Sequence, residues 1–352
     1  MPYDEALVSS VLADSRAAVR DELERLFDRR RETGYGPLYR LLADYPFREG
    51  KGLRPAICLA ACRAAGGRTE LALTSAAALE LFHNAFLVHD DVEDGSRFRR
   101  GRVTLFEAHG VPIAVNVGDA TNVLALGLLL RNTETLGVRK ALLILREVER
   151  MSRESVEGQA IELDWIRDGV FDLEDRDYVR MAYKKTCWYT VIAPLRIGVI
   201  CGAPPGPDAP LDGELAPLIE LGHLAGIAFQ ISDDLLNLEA DEALYGKESS
   251  GDLWEGKRTV MLMHFTRTAR GATRERALQI LRTARTDKRP EDVAWLLEAM
   301  TAAGSLEHGR AMAAEYSARA LELEASGTTG LRENDDGRFL REMLTYVIDR
   351  LK

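Results

Sequence analysis

Two short acidic clusters are the part of this sequence best able to do chemistry. The first is Asp90-Asp91-Val92-Glu93-Asp94, and the second is Asp233-Asp234-Leu235-Leu236-Asn237. Each cluster follows a long apolar stretch, so each is expected at the end of a helix. Residues four apart share a helix face, about 5–6 Å apart between Cβ atoms, so the Asp90 and Asp94 carboxylates lie side by side. Such paired oxygen ligands favour Mg²⁺ that also binds phosphate oxygens.

A single acidic helix end is more often a solvated surface than a metal site. Two such clusters, each after a very apolar helix, are harder to explain as surface charge. If the two helices pack face to face, the clusters oppose each other across a cavity. That cavity could hold several magnesium ions with one diphosphate between them.

Basic side chains lie close to these clusters along the chain. They occur in Gly50-Lys51-Gly52-Leu53-Arg54, Arg99-Arg100-Gly101, Lys184-Lys185-Thr186, Gly246-Lys247 and Gly256-Lys257-Arg258. Glycine beside lysine allows close approach to phosphate, and arginine adds bidentate contacts. Each basic residue alone is typical of a solvated surface. Together with the acidic clusters they indicate two diphosphate sites, one bound through metal and the other by cations alone.

The elements that must position these residues are predicted to be helices, because apolar residues recur at helical spacing and period-two alternation is scarce. The predicted helices cover 5–30, 70–93, 112–131, 137–163, 174–202, 211–238, 256–268, 272–287, 290–303, 305–325 and 336–350. The Pro- and Gly-rich stretch 202–210 is interpreted as a loop between two of them. The sequence therefore predicts one all-α domain, a helical bundle over residues 1–352.

Composition excludes several classes of protein. With 46 basic and 56 acidic side chains the net charge is −10, which argues against a nucleic-acid binder. The sequence shows no signal-peptide pattern at Met1 and no run of 18 apolar residues, so a cytoplasmic protein without a membrane span is expected. The cysteines are expected to be reduced, buried core residues rather than a metal site; they are Cys58, Cys62, Cys187 and Cys201.

The motifs between Gly50 and Thr259 resemble the trans-prenyl diphosphate synthases. In chain order they are G-K-x-x-R-P, H-x-x-x-x-x-H-D-D-x-x-D, R-R-G, G-Q, K-T, F-Q-x-x-D-D and G-K-R-T. The stretches LFHNAFLVHDDVEDGSRFRRG and KKTCWYT are most similar to geranylgeranyl diphosphate synthases. The resemblance implies an all-α isoprenoid synthase bundle with a central cavity, three Mg²⁺ ions, a homodimer, and condensation of isopentenyl diphosphate with an allylic diphosphate.

The same resemblance implies a role for each motif residue. Mg²⁺ on the allylic diphosphate would be held by Asp90, Asp91 and Asp94, and a further Mg²⁺ by Asp233 and Asp234. The cations contacting the allylic diphosphate would be Arg99, Lys185, Lys247 and Lys257. Isopentenyl diphosphate would be bound by Lys51, Arg54, His83 and Arg100. Thr186 and Gln230 would line the reaction centre, with Gln159 nearby. Asn237 stands where many members carry a last Asp; Asn keeps an oxygen ligand without the charge, so the change is expected to keep activity.

The implied reaction begins with ionisation of the allylic diphosphate, continues with attack by the isopentenyl double bond, and ends with proton loss to the released diphosphate. Apolar walls would keep water from the carbocation. Phe82, Ala85 and Phe86 would form the floor that limits chain length, although the same residues also fit an ordinary helical core stripe. Because Ala85 opens one floor position, a twenty-carbon product is expected, with fifteen carbons as the alternative.

Two other functions fit part of the pattern. A class I terpene cyclase shares the fold, and Asp233, Asn237 and Asp241 at four-residue steps resemble its second metal motif. A cyclase does not need the cations expected to bind isopentenyl diphosphate, which favours the synthase. A non-catalytic partner subunit is the other alternative, but such chains usually lose an aspartate motif and this chain keeps both.

Overall fold

The computed structural model describes residues 3–48, 50–204, 212–239, 250–332 and 334–349. Within these ranges strands are confined to one antiparallel hairpin, β1 (Phe98–Arg99) and β2 (Arg102–Val103). Nearly all other regular structure is helical, which confirms the predicted all-α fold. The single-domain boundary at 1–352 stays a prediction.

The first half of the described chain supplies eight helices, which follow in chain order. They are α1 (Glu5–Thr33), α2 (Gly36–Leu42), α3 (Leu53–Ala64), α4 (Thr69–Glu93), α5 (Leu105–His109), α6 (Val111–Leu130), α7 (Asn132–Thr135) and α8 (Val138–Arg167). Capping side chains fix some of their starts. Asp4 accepts a hydrogen bond from the Leu7 N–H at 3.0 Å before α1, and Thr104 accepts one from Glu107 before α5.

The second half begins with α9 (Asp175–Ala182), a π-helical segment (Tyr183–Ile192) and α10 (Ala193–Gly202), which run on without a break. The remaining helices are α11 (Asp212–Glu239), α12 (Gly251–Glu255), α13 (Val260–Thr268), α14 (Gly271–Arg282), α15 (Pro290–Ala302), α16 (Ser305–Ala325) and α17 (Asp335–Asp349). A 3₁₀ turn, Arg285–Asp287, joins α14 to α15.

Two predicted helix boundaries are wrong. The helix expected over 272–287 ends at Arg282, because Thr283 is extended. A continuous helix was expected over 256–268, but Gly256 has φ of 78° and ends α12 in a left-handed C-cap. Helix α13 starts only after Thr259, whose side chain accepts a hydrogen bond from the Leu262 N–H. Residues 256–259, which include Lys257, therefore form a connection between two helices.

Helices α4 and α11, which carry the acidic clusters, lie inside the bundle. Helix α4 packs against α3 and α6, and α11 packs against α16 and the π-helical segment. A buried ion pair joins further layers: Arg196 on α10 donates to both carboxylate oxygens of Glu147 on α8, each at 2.6 Å. The same guanidinium donates to the Leu215 carbonyl of α11 at 2.9 Å. These contacts fix the frame around the two acidic helices.

The π-helical segment replaces part of the continuous helix expected over 174–202. Segments with π-helical hydrogen bonds are rare and are frequent at functional sites. This one packs directly on α8 because Gly158 has no side chain; a Cβ there would collide with the Lys185 backbone. The G-Q motif therefore has a packing role that the sequence pattern did not indicate.

Three described helices are long and apolar enough to span a membrane by length and composition, namely Thr69–Glu93, Val111–Thr135 and Leu215–Glu239. The apolar windows of the first and third are 72% and 61% buried within the protein. Burial in the bundle accounts for the composition of these two helices, and the absence of a membrane span stays a prediction. All four cysteines are buried and free, as expected.

Candidate active site

A cavity of about 600 Å³ lies among α3, α4, the π-helical segment, α11 and the residues around α12. Most of the predicted site residues line it: Lys51, Arg54, His83, Asp90, Asp94, Arg99, Arg100, Lys185, Thr186, Gln230, Asp233, Asp234 and Lys257. Residues distant in sequence, from 51 to 257, therefore meet around one space. Lys247 and Asp241 lie outside the described residues.

The first acidic cluster presents two of its three predicted ligands to the cavity. Asp90 and Asp94 line it, whereas Asp91 is fully buried behind it. Arg99 donates to Asp91 through Nε at 2.7 Å and through Nη2 at 2.5 Å, and the Tyr45 hydroxyl donates to the other carboxylate oxygen. Asp91 thus faces the Arg99 guanidinium rather than the cavity.

Two lysines neutralise the first cluster. Lys257 Nζ lies 2.8 Å from Asp94 Oδ2 and 2.6 Å from Glu255 Oε2, and Lys185 pairs with Glu162. Burial alone would raise the pKa of Asp94, but Lys257 and Lys185 outweigh burial and hold that pKa below its ordinary value. Burial raises the pKa of Asp90. Burial and its acidic neighbours raise the pKa of Glu255 to about 7, even though Lys257 acts against them.

The second cluster is held by neutral donors. The Tyr178 hydroxyl donates to Asp234 Oδ2 at 2.8 Å, and Gln230 Nε2 donates to Asp234 Oδ1 at 2.6 Å. Gln230 in turn accepts from the Thr186 hydroxyl at 2.6 Å. Burial, followed by the charge of Asp252, raises the pKa of Asp234 well above its ordinary value. A cation bound beside this buried carboxylate would therefore stabilise its charged form.

Asn237 has a role that its position in the motif did not indicate. It is buried, and its Oδ1 accepts a hydrogen bond from the Asp252 N–H at 3.0 Å. Its carbonyl accepts from the Ser250 N–H at 2.9 Å. The side-chain oxygen expected as a ligand is therefore directed at the start of α12, where it helps to place Asp252 on the cavity wall.

The R-R-G motif forms the tight turn of the β1–β2 hairpin. Arg100 and Gly101 have φ of 54° and 69°, and a positive φ is costly for arginine. Arg100 lies over Gly50, whose Cβ, if present, would be 2.8 Å from the guanidinium. Arg48 donates to the Arg99 carbonyl at 3.1 Å and so fixes the hairpin. The strained turn places Arg99 and Arg100 together on the cavity wall.

Two of the residues predicted to bind isopentenyl diphosphate, Arg54 and His83, contact Tyr189. The Arg54 guanidinium lies 4.3 Å from the centre of the Tyr189 ring and donates to Thr190 at 2.9 Å. The His83 ring stacks on Tyr189 at 6.0 Å between centroids. Lys51 and Arg100 line the same cavity, and Arg100 donates to the Arg48 carbonyl at 3.3 Å. Tyr189 thus links Arg54 and His83 in this half of the site.

The predicted chain-length residues lie on α4 behind the cavity wall. Phe82 and Ala85 are buried in the packing of α4, and Phe86 is half-buried with its ring edge against Tyr189 at 5.6 Å. Only Leu87, from this stretch of α4, lines the cavity beside His83 and Asp90. Gln159 lies next to Glu93, to which it donates at 2.6 Å.

Sequence reasoning assigned no role to several cavity residues. They are Glu80, Glu162, Tyr178, Met181, Tyr189, Phe229, Asp252 and Thr259. Glu162 and Tyr178 are partners of motif residues across helix–helix contacts. Asp252 lies five residues before Lys257, so an acidic residue near a conspicuous G-K pair was the one signal that could have drawn attention to it.

Comparison with known proteins agrees with this geometry. Residues 37–300 match the model of the polyprenyl synthetase family. The chain is 32% identical over 302 residues to a short chain isoprenyl diphosphate synthase of Methanothermobacter thermautotrophicus, covering 86% of each chain. It is 34% identical over 273 residues to octaprenyl diphosphate synthase of Escherichia coli, covering 77% of this chain and 78% of that protein.

The fold matches solved structures over almost its whole length. The structure of geranylgeranyl pyrophosphate synthase from Corynebacterium glutamicum, complexed with isoprenyl diphosphate and magnesium, superposes with a TM-score of 0.85 at 26% identity. The match covers 96% of this chain and 99% of that one. The chain belongs to the polyprenyl synthetase family and is a trans-prenyl diphosphate synthase.

The donor set fits a divalent cation that shares its coordination with phosphate. Carboxylate oxygens are what Mg²⁺ prefers, and Mg²⁺ usually takes one or two of them plus substrate phosphates. In the part of the chain that the structure describes, no three His, Cys, Asp or Glu side chains form a metal-binding group by themselves. The paired carboxylates of Asp90 and Asp94 therefore suit a cation completed by diphosphate oxygens.

Proposed function

We propose that this enzyme is a magnesium-dependent geranylgeranyl diphosphate synthase, adding isopentenyl diphosphate to an allylic diphosphate. The observation that carries the proposal is the convergence on one cavity of both acidic clusters and two separate sets of cations. The cations beside the acidic clusters suit a metal-bound diphosphate. Lys51, Arg54 and Arg100, which line the cavity with His83, suit a second diphosphate bound without metal.

The allylic half of the site would be formed by both acidic clusters together with Arg99, Lys185 and Lys257. Asp90, Asp94, Asp233 and Asp234 would hold Mg²⁺, which supplies positive charge to the diphosphate as its bond to carbon breaks. Lys185 and Lys257 would add fixed positive charge beside the same leaving group. Asp91 would act indirectly, because it orients the Arg99 guanidinium.

The isopentenyl half would bind its diphosphate through Lys51, Arg54, His83 and Arg100. Tyr189 and Leu87 supply apolar surface beside these cations, and such surface keeps water from a carbocation. Thr186 and Gln230 are hydrogen-bonded to each other at 2.6 Å on the cavity wall. They would orient the reacting groups, and the released diphosphate would accept the proton.

The experiment that tests this proposal is incubation of the purified protein with Mg²⁺, isopentenyl diphosphate and dimethylallyl, geranyl or farnesyl diphosphate, followed by product mass analysis. A dominant twenty-carbon linear diphosphate supports the proposal, and a fifteen-carbon product would make it a farnesyl diphosphate synthase. Cyclic hydrocarbons formed without isopentenyl diphosphate would identify a terpene cyclase. The absence of turnover would favour a non-catalytic partner subunit.

Product length is proposed to depend on the aromatic side chains of α4. Phe86 contacts Tyr189 at the cavity wall, and Phe82 lies one turn earlier on the helix. Phe86→Ala and Phe82→Ala should therefore give longer products, seen by mass analysis. Phe106→Ala on α5, which removes an equal ring from outside the cavity wall, is the control. Unchanged products from both α4 variants would contradict this assignment.

A homodimer is proposed from the apolar surface of α6 and α8. Val123, Leu126 and Leu130 are spaced along one face of α6, and their side chains are 69%, 45% and 57% exposed. Val138, Leu142 and Val156 on α8 are also exposed. Exposed apolar area of this kind marks a protein interface. Light scattering should give twice the 39.1 kDa chain mass, and Leu126→Glu should lower it.

A further inference from the structure

The segment Gly251–Lys257 brings three charged side chains to the allylic half of the site. Asp252 and Lys257 line the cavity, and Glu255 is ion-paired with Lys257 at 2.6 Å. Asn237 fixes the start of this segment through the Asp252 N–H. Its end is held by a different part of the chain, the connection between α14 and α15, which no motif of the family includes.

Lys288, in this connection, caps the C-terminal end of α12. Its ammonium donates to the Leu253 carbonyl at 2.9 Å and to the Trp254 carbonyl at 2.6 Å. The last carbonyls of a helix have no partner within the helix, and a cation there is favoured. Lys288 is buried, so both bonds are made away from bulk water. The backbone that leads directly into Lys257 is therefore held by a lysine 31 residues later.

Arg285, in the same connection, begins a row of alternating charges. Its Nη1 donates to Glu255 Oε1 at 3.2 Å. The other oxygen of Glu255 lies 2.6 Å from Lys257 Nζ, and Lys257 Nζ lies 2.8 Å from Asp94 Oδ2. The order is Arg285, Glu255, Lys257, Asp94. The position of the Lys257 ammonium thus depends on Glu255, and the position of Glu255 depends on Arg285.

We propose that Arg285 and Lys288 are positioning residues that hold Lys257 in place for the allylic diphosphate. The inference rests on the proposed function, because it assigns a purpose to one half of that site. Neither residue lines the cavity, so each acts through the Gly251–Lys257 segment. The chain after residue 270 therefore contributes to substrate binding as well as completing the helical shell.

The two halves of the site are supported by different residues. Removing Arg285 and Lys288 should therefore weaken the binding of one substrate only. The isopentenyl half is braced from the N-terminal side: Arg16 donates to the Gly50 carbonyl at 3.1 Å, and Arg100 donates to the Arg48 carbonyl at 3.3 Å. Loss of the Arg285–Lys288 support should weaken binding of the allylic diphosphate and leave binding of isopentenyl diphosphate unchanged. A general loss of folded protein would lower turnover without changing the binding of one substrate more than the other.

The test compares Arg285→Gln, Lys288→Met, the double variant, Lys288→Arg and the control Arg289→Gln. Arg289 is an exposed cation of the same connection that pairs with Asp292 at 2.8 Å. The first readout is calorimetric titration of inorganic diphosphate in Mg²⁺, which needs no turnover. The second is the KM for geranyl diphosphate and, separately, the KM for isopentenyl diphosphate. Thermal unfolding of each variant verifies that it is folded.

The double variant should bind inorganic diphosphate about tenfold more weakly and raise the geranyl diphosphate KM by a similar factor. Lys288→Arg keeps a cation at this position, so its diphosphate affinity and its geranyl diphosphate KM should stay close to those of the wild-type protein. Arg289→Gln should match the wild-type protein in both. Equal changes in both KM values, or wild-type diphosphate affinity in the double variant, would overturn the proposal. If the wild-type protein formed no product, the proposed function would fail, and the diphosphate titration would still decide the role of Arg285 and Lys288.

Discussion

The two acidic clusters have similar sequences and opposite electrostatic surroundings. At the first, the ammonium of Lys257 lies 2.8 Å from Asp94, and Lys185 is nearby, so the pKa of Asp94 is lowered despite burial. At the second, Asp234 receives hydrogen bonds from a phenol and an amide, and its pKa is raised. Lysines of the protein itself offset the charge of Asp94 at the first cluster, whereas burial makes a charge on Asp234 at the second costly, and an added cation could stabilise that charge.

This difference gives the clusters different tasks in binding a metal. A cation entering the first cluster must compete with Lys257 for Asp94. Its binding becomes favourable only when diphosphate oxygens complete its coordination. A cation at the second cluster meets an under-neutralised carboxylate. We therefore expect Mg²⁺ alone to bind first at Asp233 and Asp234, and to bind at Asp90 and Asp94 together with diphosphate.

The largest expected effect is on turnover. Chelation of divalent cations, or Asp→Asn changes at both carboxylates of either cluster, should lower product formation on the order of 10³-fold, because the leaving diphosphate loses its charge stabilisation. The measurement is product formation with excess EDTA, then with Mg²⁺ restored.

Mg²⁺-induced thermal stabilisation without substrate separates the two clusters. It should vanish in Asp233→Asn/Asp234→Asn and persist in Asp90→Asn/Asp94→Asn. Stabilisation that is lost only in the second of these variants would reverse the proposed order of metal binding.

The next effect is on the stability of the metal-free protein. A single Asp→Asn substitution in one cluster should change the free energy of unfolding in the opposite direction from a single substitution in the other. Asp94→Asn removes a partner of buried Lys257 and should lower the free energy of unfolding by about 1–3 kcal/mol. Asp234→Asn removes a poorly stabilised charge and should raise it. Urea denaturation at pH 7 measures both.

Acidification provides the control for that comparison. A raised pKa means that folded Asp234 takes up its proton at a higher pH than the unfolded chain does. The advantage of Asp234→Asn should therefore shrink as pH falls. If Asp94→Asn and Asp234→Asn changed the free energy of unfolding in the same direction at pH 7, the electrostatic surroundings of the two clusters would not differ in this way.

Much of the site could be predicted because it depends on the spacing of residues that are near one another in the sequence. Apolar periodicity located the helices, and the four-residue step from Asp90 to Asp94 placed both side chains on one face. Asp91 was expected to bind the same Mg²⁺ as these two residues, although adjacent residues on a helix point about 100° apart. The motifs then identified the cations that gather around the cavity.

The parts that could not be predicted depend on packing between distant segments. Nothing in the sequence near Asp234 indicates Tyr178, which donates to it from 56 residues away. The amide of Asn237 looked like a substitute metal ligand, but its direction is decided by the backbone of Asp252. The break at Gly256 requires a left-handed conformation that the apolar pattern around it does not show.

A smaller effect should distinguish the two kinds of hydrogen-bond donor. A double-mutant cycle between Tyr178→Phe and Asp234→Asn should give a coupling of about 0.5–1.5 kcal/mol, as for a bond from a neutral group. The matched cycle between Lys257→Met and Asp94→Asn should give a larger coupling, because both partners are charged and shielded from water. Equal couplings in urea denaturation would contradict the distinction between the clusters.

The smallest effect extends the comparison to Lys288, which caps α12 beside the first cluster. Burial, with Arg258 and Arg285 nearby, lowers the pKa of Lys288 from 10.5 to about 8, although Glu255 acts against this. Between those two values the unfolded chain binds more protons than the folded protein, so this lysine makes the free energy of unfolding rise with pH. Relative to Lys288→Met, the wild-type protein should gain about 1 kcal/mol from pH 7 to pH 9.5 after discounting for solvent screening. Urea denaturation at both pH values measures this gain. A parallel pH dependence of the two proteins would mean that Lys288 keeps an ordinary pKa and that its capping of α12 costs nothing in desolvation.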